Sequence, residues 1–321
     1  MPKLLVLEND TFKPGAAHML RLAELAPRLE VELLHEKNLR PELLAQVEIL
    51  FGFPGRDMLA QAARLRWLHL PSAGADAYMD LSLYARHDII VTNSSGVYGA
   101  PVAEHALAMF LSLARAIPQQ TGRESDLDAR SVAEREAVLL SQSTVLIVGM
   151  GDIGTTLARL LRAFDCRILG VRRNILHRPD GVDGIYTAAQ LPELLPQADF
   201  VALCLPRTPE TAVLMNREML TLCKPGSILV NVGRGDAVDM EALTDMLVGG
   251  RLRGAGLDVT NPEPLPAEHP LRGLRNVILT PHTAGLSPLR ATRVLSLFGD
   301  LLERYESGRR LYNQVDFLRG Y

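Results

Sequence analysis

The sequence predicts an α/β protein built from two doubly wound parallel-sheet domains, and three observations carry that prediction. Short apolar runs alternate with helical patterns through both halves of the chain. A glycine fingerprint, Gly149-Met150-Gly151-Asp152-Ile153-Gly154, lies between an apolar run and a helical one. The length of 321 residues, with 47% hydrophobic content, is enough to build a core in each of two domains.

In the N-terminal part, Leu4–Leu7, Val31–Leu34, Glu48–Gly52, Trp67–Leu70 and Ile89–Thr92 read as strands. Strands covered on both faces need near-continuous apolar runs, and these have them. From Ala100 to Ala116 the pattern is helical, with Pro101 in the first turn, where its missing N–H has no intrahelical partner to lose. This helix is expected to leave the first domain. A polar, charged stretch, Gln119 to Glu136, precedes a second series of strands at Thr144–Val148, Arg167–Val171, Phe200–Leu203, Ser227–Val230, Gly254–Asp258 and Val277–Thr280. A last helix, Pro288 to Glu306, and the tail are too short for a domain and are expected to return to the first. The expected boundaries are therefore 1–100 with 287–321 for one domain and 101–286 for the other.

Composition narrows the function classes. A net charge of −3, with both signs dispersed, offers no basic field for nucleic acid and no polybasic membrane anchor. The longest apolar stretches, such as Ala106 to Leu113, fall far short of a bilayer span, and Pro2 to Leu7 reads as a strand rather than a secretory signal. A cytoplasmic location is expected. Cys166, Cys204 and Cys223 are odd in number and irregularly spaced, which suits reduced core thiols better than a disulfide or a zinc site. No metal is expected.

The fingerprint follows the apolar run Thr144–Val148 and opens the helical run Thr155–Phe164, the context a Rossmann dinucleotide site demands. Gly149 allows the tight turn, Gly151 lets a pyrophosphate approach the backbone, and Gly154 lets helix pack on strand. The amides of Asp152, Ile153 and Gly154 should receive the phosphates at the positive helix end. At the end of the next strand, where NAD sites carry an acidic residue for the ribose hydroxyls, this chain has Arg172-Arg173-Asn174. Arginine pairs with a 2′-phosphate, so NADP(H) is preferred and NAD(H) is the alternative. An exposed strand end, or stacking on adenine, would account for the same arginines.

Three further segments carry the chemistry: Asn231-Val232-Gly233-Arg234-Gly235, Asp258-Val259-Thr260-Asn261-Pro262-Glu263-Pro264 and Thr280-Pro281-His282-Thr283-Ala284-Gly285. An arginine can hold a carboxylate by two parallel charge-assisted bonds, and a histidine can exchange a proton near neutral pH. A glutamate can orient that histidine and stabilise its charged form. Joined to a dinucleotide site, this set describes hydride transfer.

With these motifs, and with Pro71-Ser72-Ala73-Gly74-Ala75-Asp76, Thr92-Asn93-Ser94-Ser95-Gly96-Val97, Ala103-Glu104-His105 and Cys204-Leu205-Pro206-Arg207-Thr208-Pro209-Glu210-Thr211, the chain resembles the D-isomer-specific 2-hydroxyacid dehydrogenase family from about Arg66 to about Asn313. The resemblance implies a Rossmann nucleotide-binding domain inserted into a flavodoxin-like substrate domain. It makes Arg234 the substrate clamp, His282 the acid/base and Glu263 its partner, and assigns the substrate carboxylate to the Ser72, Ala73 and Gly74 loop. Asp258 would meet the nicotinamide carboxamide, Val232, Gly233 and Gly285 would line the cofactor, and Pro206 would flank the adenosine. Glu104, His105, Trp67 and His69 are expected to be structural.

Glyoxylate or hydroxypyruvate is the leading substrate, a small 2-keto acid giving a 2-hydroxy acid, with D stereochemistry resting on the resemblance alone. Phe53, Pro54, Val97, Tyr98 and Leu286 are expected to border the substrate pocket. A homodimer is expected, but Gln119 to Ser143 lacks the tryptophan of the usual dimerisation arm, and Ser141-Gln142-Ser143 stands where relatives carry a Gly-Lys pair. From a different class comes a second expectation, a dinucleotide-sensing, corepressor-like protein without useful turnover; the intact Arg234, Glu263 and His282 favour the enzyme.

Overall fold

The computed structural model describes residues 1–121 and 126–319, so part of the stretch Gln119 to Ser143, expected to bear on dimerisation, lies outside the described residues. The chain divides into two compact units, Met1–Tyr98 with Ser287–Tyr321, and Gly99–Leu286.

The first unit begins with β1 (Lys3–Glu8), α1 (Ala16–Leu25), β2 (Glu30–His35), α2 (Pro41–Leu44), β3 (Val47–Phe51), β4 (Trp67–Leu70) and β5 (Ile90–Asn93). All five strands are parallel in the order β2-β1-β3-β4-β5, the flavodoxin-like arrangement. β1, β3 and β4 are predominantly apolar because both sheet faces are covered. One polar group is buried among them. His69, wholly inaccessible on β4, stacks on Phe51 with ring centroids 5.2 Å apart. Its Nδ1 lies 2.7 Å from Thr92 Oγ1 and its Nε2 3.1 Å from Ser94 Oγ. Since Ser94 Oγ donates to the Leu70 carbonyl, His69 Nε2–H donates to Ser94 and Nδ1 accepts from Thr92. Burial pushes this imidazole down to about 3, so it is neutral.

The second unit runs through α3 (Gly99–Ala114), α4 (Ile117–Gln120), α5 (Asp126–Glu136), β6 (Thr144–Val148), α6 (Asp152–Leu161), β7 (Arg167–Val171), β8 (Gly184–Tyr186), α7 (Leu191–Leu194), β9 (Phe200–Leu203), α8 (Arg217–Leu222), β10 (Ile228–Asn231), α9 (Met240–Val248), β11 (Gly254–Leu257) and β12 (Val277–Leu279). Its seven parallel strands are ordered β12-β11-β10-β9-β6-β7-β8, so strand order reverses at β6, where a Rossmann sheet binds its ligand. α8 and α9 start on side-chain caps, Asn216 accepting from Met219 N and Asp239 from Ala242 N.

After the second unit the chain returns to the first through α10 (Arg290–Glu306), whose Val294, Phe298, Leu301 and Leu302 are buried with Leu4, Val6, Ile49 and Trp67. Val97, expected to border the substrate pocket, is 8% exposed within this same cluster. Among the described residues no helix is long and apolar enough to cross a membrane.

Candidate active site

The second sheet delivers its motifs at the carboxyl ends of its strands. After β6, Gly149 takes a left-handed φ of 107°, and a Cβ there would stand 2.5 Å from the Cys204 carbonyl oxygen. A Cβ on Gly154 would lie 2.1 Å from the Gly149 oxygen, so any side chain would push α6 off the turn. Gly151 caps α6 without a side chain, and the amides of Asp152, Ile153 and Gly154 have no acceptor among the described residues. Three orphan donors at a positive helix end, beside an open backbone at Gly151, fit the pyrophosphate of a dinucleotide.

Gly149 N and Met150 N both donate to the Val171 carbonyl, at 2.9 and 3.1 Å, which binds the fingerprint to the end of β7. Arg172 therefore follows directly beside the glycine turn, its backbone fixed by a 2.9 Å bond to the Tyr186 carbonyl. The Arg172 side chain is half-buried, while Arg173 is exposed and pairs with Glu210 at 3.4 Å. Pro206 is exposed after β9, and its carbonyl accepts from Thr211.

At the end of β10 the buried Asn231 shapes the arginine turn. Its Oδ1 accepts from Gly233 N at 3.0 Å and its Nδ2 donates to the Arg234 carbonyl at 2.8 Å. Val232 and Gly233 are buried beneath, and Arg234 Nη1 donates to the Gly233 carbonyl at 2.9 Å. Next to it, Arg207 closes on Asp236 at 2.7 Å.

β11 is the neighbour of β10, with Asn231 in register with Leu257, so Asp258 emerges beside that turn. Asp258 is 3% exposed. Its carboxylate accepts from Thr280 Oγ1 at 2.6 Å, Thr283 N at 2.8 Å and Ala284 N at 3.0 Å. Its backbone carbonyl accepts from His282 N at 2.9 Å. His282 itself has a left-handed φ of 53°. From that turn its Nδ1 meets Glu263 Oε1 at 2.7 Å, with both side chains near half exposure at 52% and 42%. Donation from Nδ1–H to the carboxylate leaves Nε2 as the nitrogen that can exchange a proton. Gly285 follows, half-buried, in the same loop.

Glu263 and His282 are thus in direct contact, and Asp258 is wired to the loop that carries His282. Ser72, Ala73 and Gly74 belong to the first unit, after β4. There every carbonyl is taken: Leu70 by Ser94 Oγ, Pro71 by Tyr98, Ser72 by Ser94 N, Ala73 by Asn93 Nδ2 and Gly74 by Ser72 Oγ. The amides of Ser72, Ala73 and Gly74 have no acceptor among the described residues. Asn231 and Thr280 stand inside the motifs quoted above, which do not by themselves point to these contacts, and His105 is expected only to be structural. Among the described residues no group of three His, Cys, Asp or Glu is placed to hold a metal.

A family model for the NAD binding domain of D-isomer specific 2-hydroxyacid dehydrogenases matches residues 107–284. The chain belongs to that family. This dehydrogenase is 34% identical over 283 residues to a glyoxylate reductase of Korarchaeum cryptofilum, covering 85% of this chain and 82% of the relative. It is similar to the crystal structure of a family protein from Aeromonas salmonicida, with a TM-score of 0.82, 32% identity, and coverage of 99% of this chain and 100% of that one. A family member from Xanthobacter autotrophicus, solved with NADPH and MES, gives a TM-score of 0.81 at 29% identity, with both chains covered in full at 100%. The dehydrogenase is therefore an oxidoreductase using a nicotinamide dinucleotide, and the orphan amides of α6 fit that group.

Proposed function

We propose that this dehydrogenase reduces glyoxylate or hydroxypyruvate with NADPH, giving the D-isomer where the product is chiral. The observation that carries the reading is the 2.7 Å contact of His282 Nδ1 with Glu263, which leaves Nε2 to act on substrate. The amides of Asp152, Ile153 and Gly154 and the Arg172 side chain would hold NADPH, which when bound would supply the hydride for the keto carbon. Pro206, Val232, Gly233 and Gly285 complete its site in this proposal. His282, as imidazolium, gives its Nε2 proton to the carbonyl oxygen, and Glu263 stabilises the cation before transfer. Arg234 presents a planar guanidinium to the substrate carboxylate and carbonyl, offsetting the charge that develops on oxygen. The open amides of Ser72, Ala73 and Gly74, in the first unit, are suited to a substrate carboxylate.

Support for glyoxylate comes from the Korarchaeum relative, and for NADPH from Arg172 and the Xanthobacter structure. A cytoplasmic homodimer is part of the proposal; the dimer rests on the resemblance alone, and the location on the segment and thiol pattern of the sequence. For Asp258 the contacts suggest a different emphasis from the expected carboxamide contact. Three bonds occupy most of the roughly four lone-pair sites of a carboxylate, so its main work is to hold the His282 loop. The test is consumption of NADPH and NADH at the nicotinamide absorbance with each keto acid. Turnover of glyoxylate or hydroxypyruvate is expected, and failure with both would overturn the substrate assignment.

A further inference from the structure

Helix α3 carries a histidine to which the reaction above gives no part. Glycines let α3 lie close over β11: a Cβ on Gly256 would stand 2.8 Å from Met109 Sδ, and one on Gly254 3.1 Å from Leu113 Cδ2. One turn before Met109, His105 lies on the same helix face and so reaches the end of that strand. Its Nε2 is 3.0 Å from Thr280 Oγ1 and 3.7 Å from Asp258 Oδ1. The direction of the relay follows from donor count. The Thr280 hydroxyl donates its one proton to Asp258, so it accepts from His105 Nε2–H.

We propose that His105 is a positioning residue for the proton transfer. Through Thr280 it fixes the Asp258 carboxylate, which grips the amides of Thr283 and Ala284 on one side of His282, while the Asp258 carbonyl holds the His282 amide. A non-glycine residue at φ 53° stays there only when its surroundings determine it, and these bonds do so. The imidazole is thereby kept on Glu263. This proposal rests on His282 being the proton donor.

His105→Leu, His105→Gln, Thr280→Val and the Leu/Val double variant would be compared with glyoxylate and hydroxypyruvate as substrates and NADPH as cofactor. A small displacement of the acid slows chemistry without weakening binding, so His105→Leu should lower kcat roughly 10-fold, with KM and the NADPH Kd little changed. Glutamine, which still offers an N–H at similar reach, should restore most of the rate. Because His105 acts through Thr280, adding His105→Leu to Thr280→Val should cost nothing further. Hydrogen exchange gives a readout independent of turnover: the Thr283 and Ala284 amides should exchange faster in His105→Leu and in Thr280→Val while β6 and β7 keep their protection. Unchanged exchange with wild-type kcat in His105→Leu, equal losses for Gln and Leu, or losses that multiply in the double variant would each overturn the proposal. His282→Ala is run alongside. If it keeps wild-type kcat, the acid–base reading fails and exchange alone judges the clamp; if it is slow while His105→Leu is not, only the positioning role fails.

Discussion

Replacing Arg172 with Asp tests the cofactor proposal at its most exposed point. The arginine stands directly after β7, beside the glycine turn, and its side chain has no partner among the described residues. A 2′-phosphate there would displace no existing carboxylate. A hydrogen bond to a charged group contributes about 1.5–3 kcal/mol, and a half-buried side chain keeps the lower part of that range. About 1.5 kcal/mol corresponds to a roughly 10-fold preference for NADPH in kcat/KM. Arg173 adds little to this figure, because it already engages Glu210 across a solvent-exposed 3.4 Å pair. In Arg172→Asp a carboxylate repels the phosphate and accepts from the ribose hydroxyls of NAD, so the preference should invert while the NADH rate is spared. The assay is kcat/KM for each dinucleotide at saturating keto acid. Equal use of both dinucleotides by the wild type, or a ratio unmoved in the variant, would refute the reasoning.

Other outcomes follow from the same geometry. His282→Ala should lower kcat roughly 10²-fold or more with dinucleotide binding nearly intact, measured by steady-state rates and fluorescence titration; normal turnover would remove His282 from the acid role. Arg234→Lys keeps the charge and loses the planar fork, so kcat/KM for keto acid should fall even though the cation remains, and a wild-type value would exclude the clamp. His69 bears on stability rather than rate. Its imidazole sits at about 3 when folded, against about 6.5 in an unfolded chain, so below pH 6.5 the unfolded chain binds a proton that the folded one refuses. Stability from this group should fall as pH drops from 6.5 toward 3, on the order of 5 kcal/mol in all. Urea unfolding of His69→Gln across that range should show a shallower acid slope, and an identical slope would refute the assignment.

How much of this was legible in the sequence depended on where the defining contacts lie. β4, β6, β7 and β9 begin and end where their apolar runs do, since strands covered on both faces need apolar residues throughout. β8 escaped notice: Gly184, Ile185 and Tyr186 are half-buried at a sheet edge, and three residues are too few to show a period. α5 read only as a polar stretch because Val132 is buried among charged neighbours with no apolar stripe around it. Glu263 and His282 were marked as partners by motif, whereas the relay from His105 to Thr280 joins residues 175 positions apart and needs the close seating of α3 on β11 to exist. The Ser72 to Gly74 loop was legible as a run of small residues. That its carbonyls are all engaged and its amides left open is a property of the folded turn.

The path of the chain also has a consequence for the order of synthesis. The first unit is finished by residues made after the second: Phe298, Leu301, Leu302 and Leu311 share a cluster with Leu4, Val6 and Trp67, and Asn313 Nδ2 bonds the Ser95 carbonyl at 2.7 Å. Between Tyr98 and Ser287 the ribosome must make the whole second unit, which at ordinary translation speeds takes roughly 10 to 40 seconds. During that interval β1 and β3 lack the α10 side chains that pack against them, while the second unit emerges with every strand of its own sheet in hand. The nascent chain therefore completes its two units in the reverse of the order in which it starts them, and the waiting N-terminal segment is the part a holding chaperone would find uncovered.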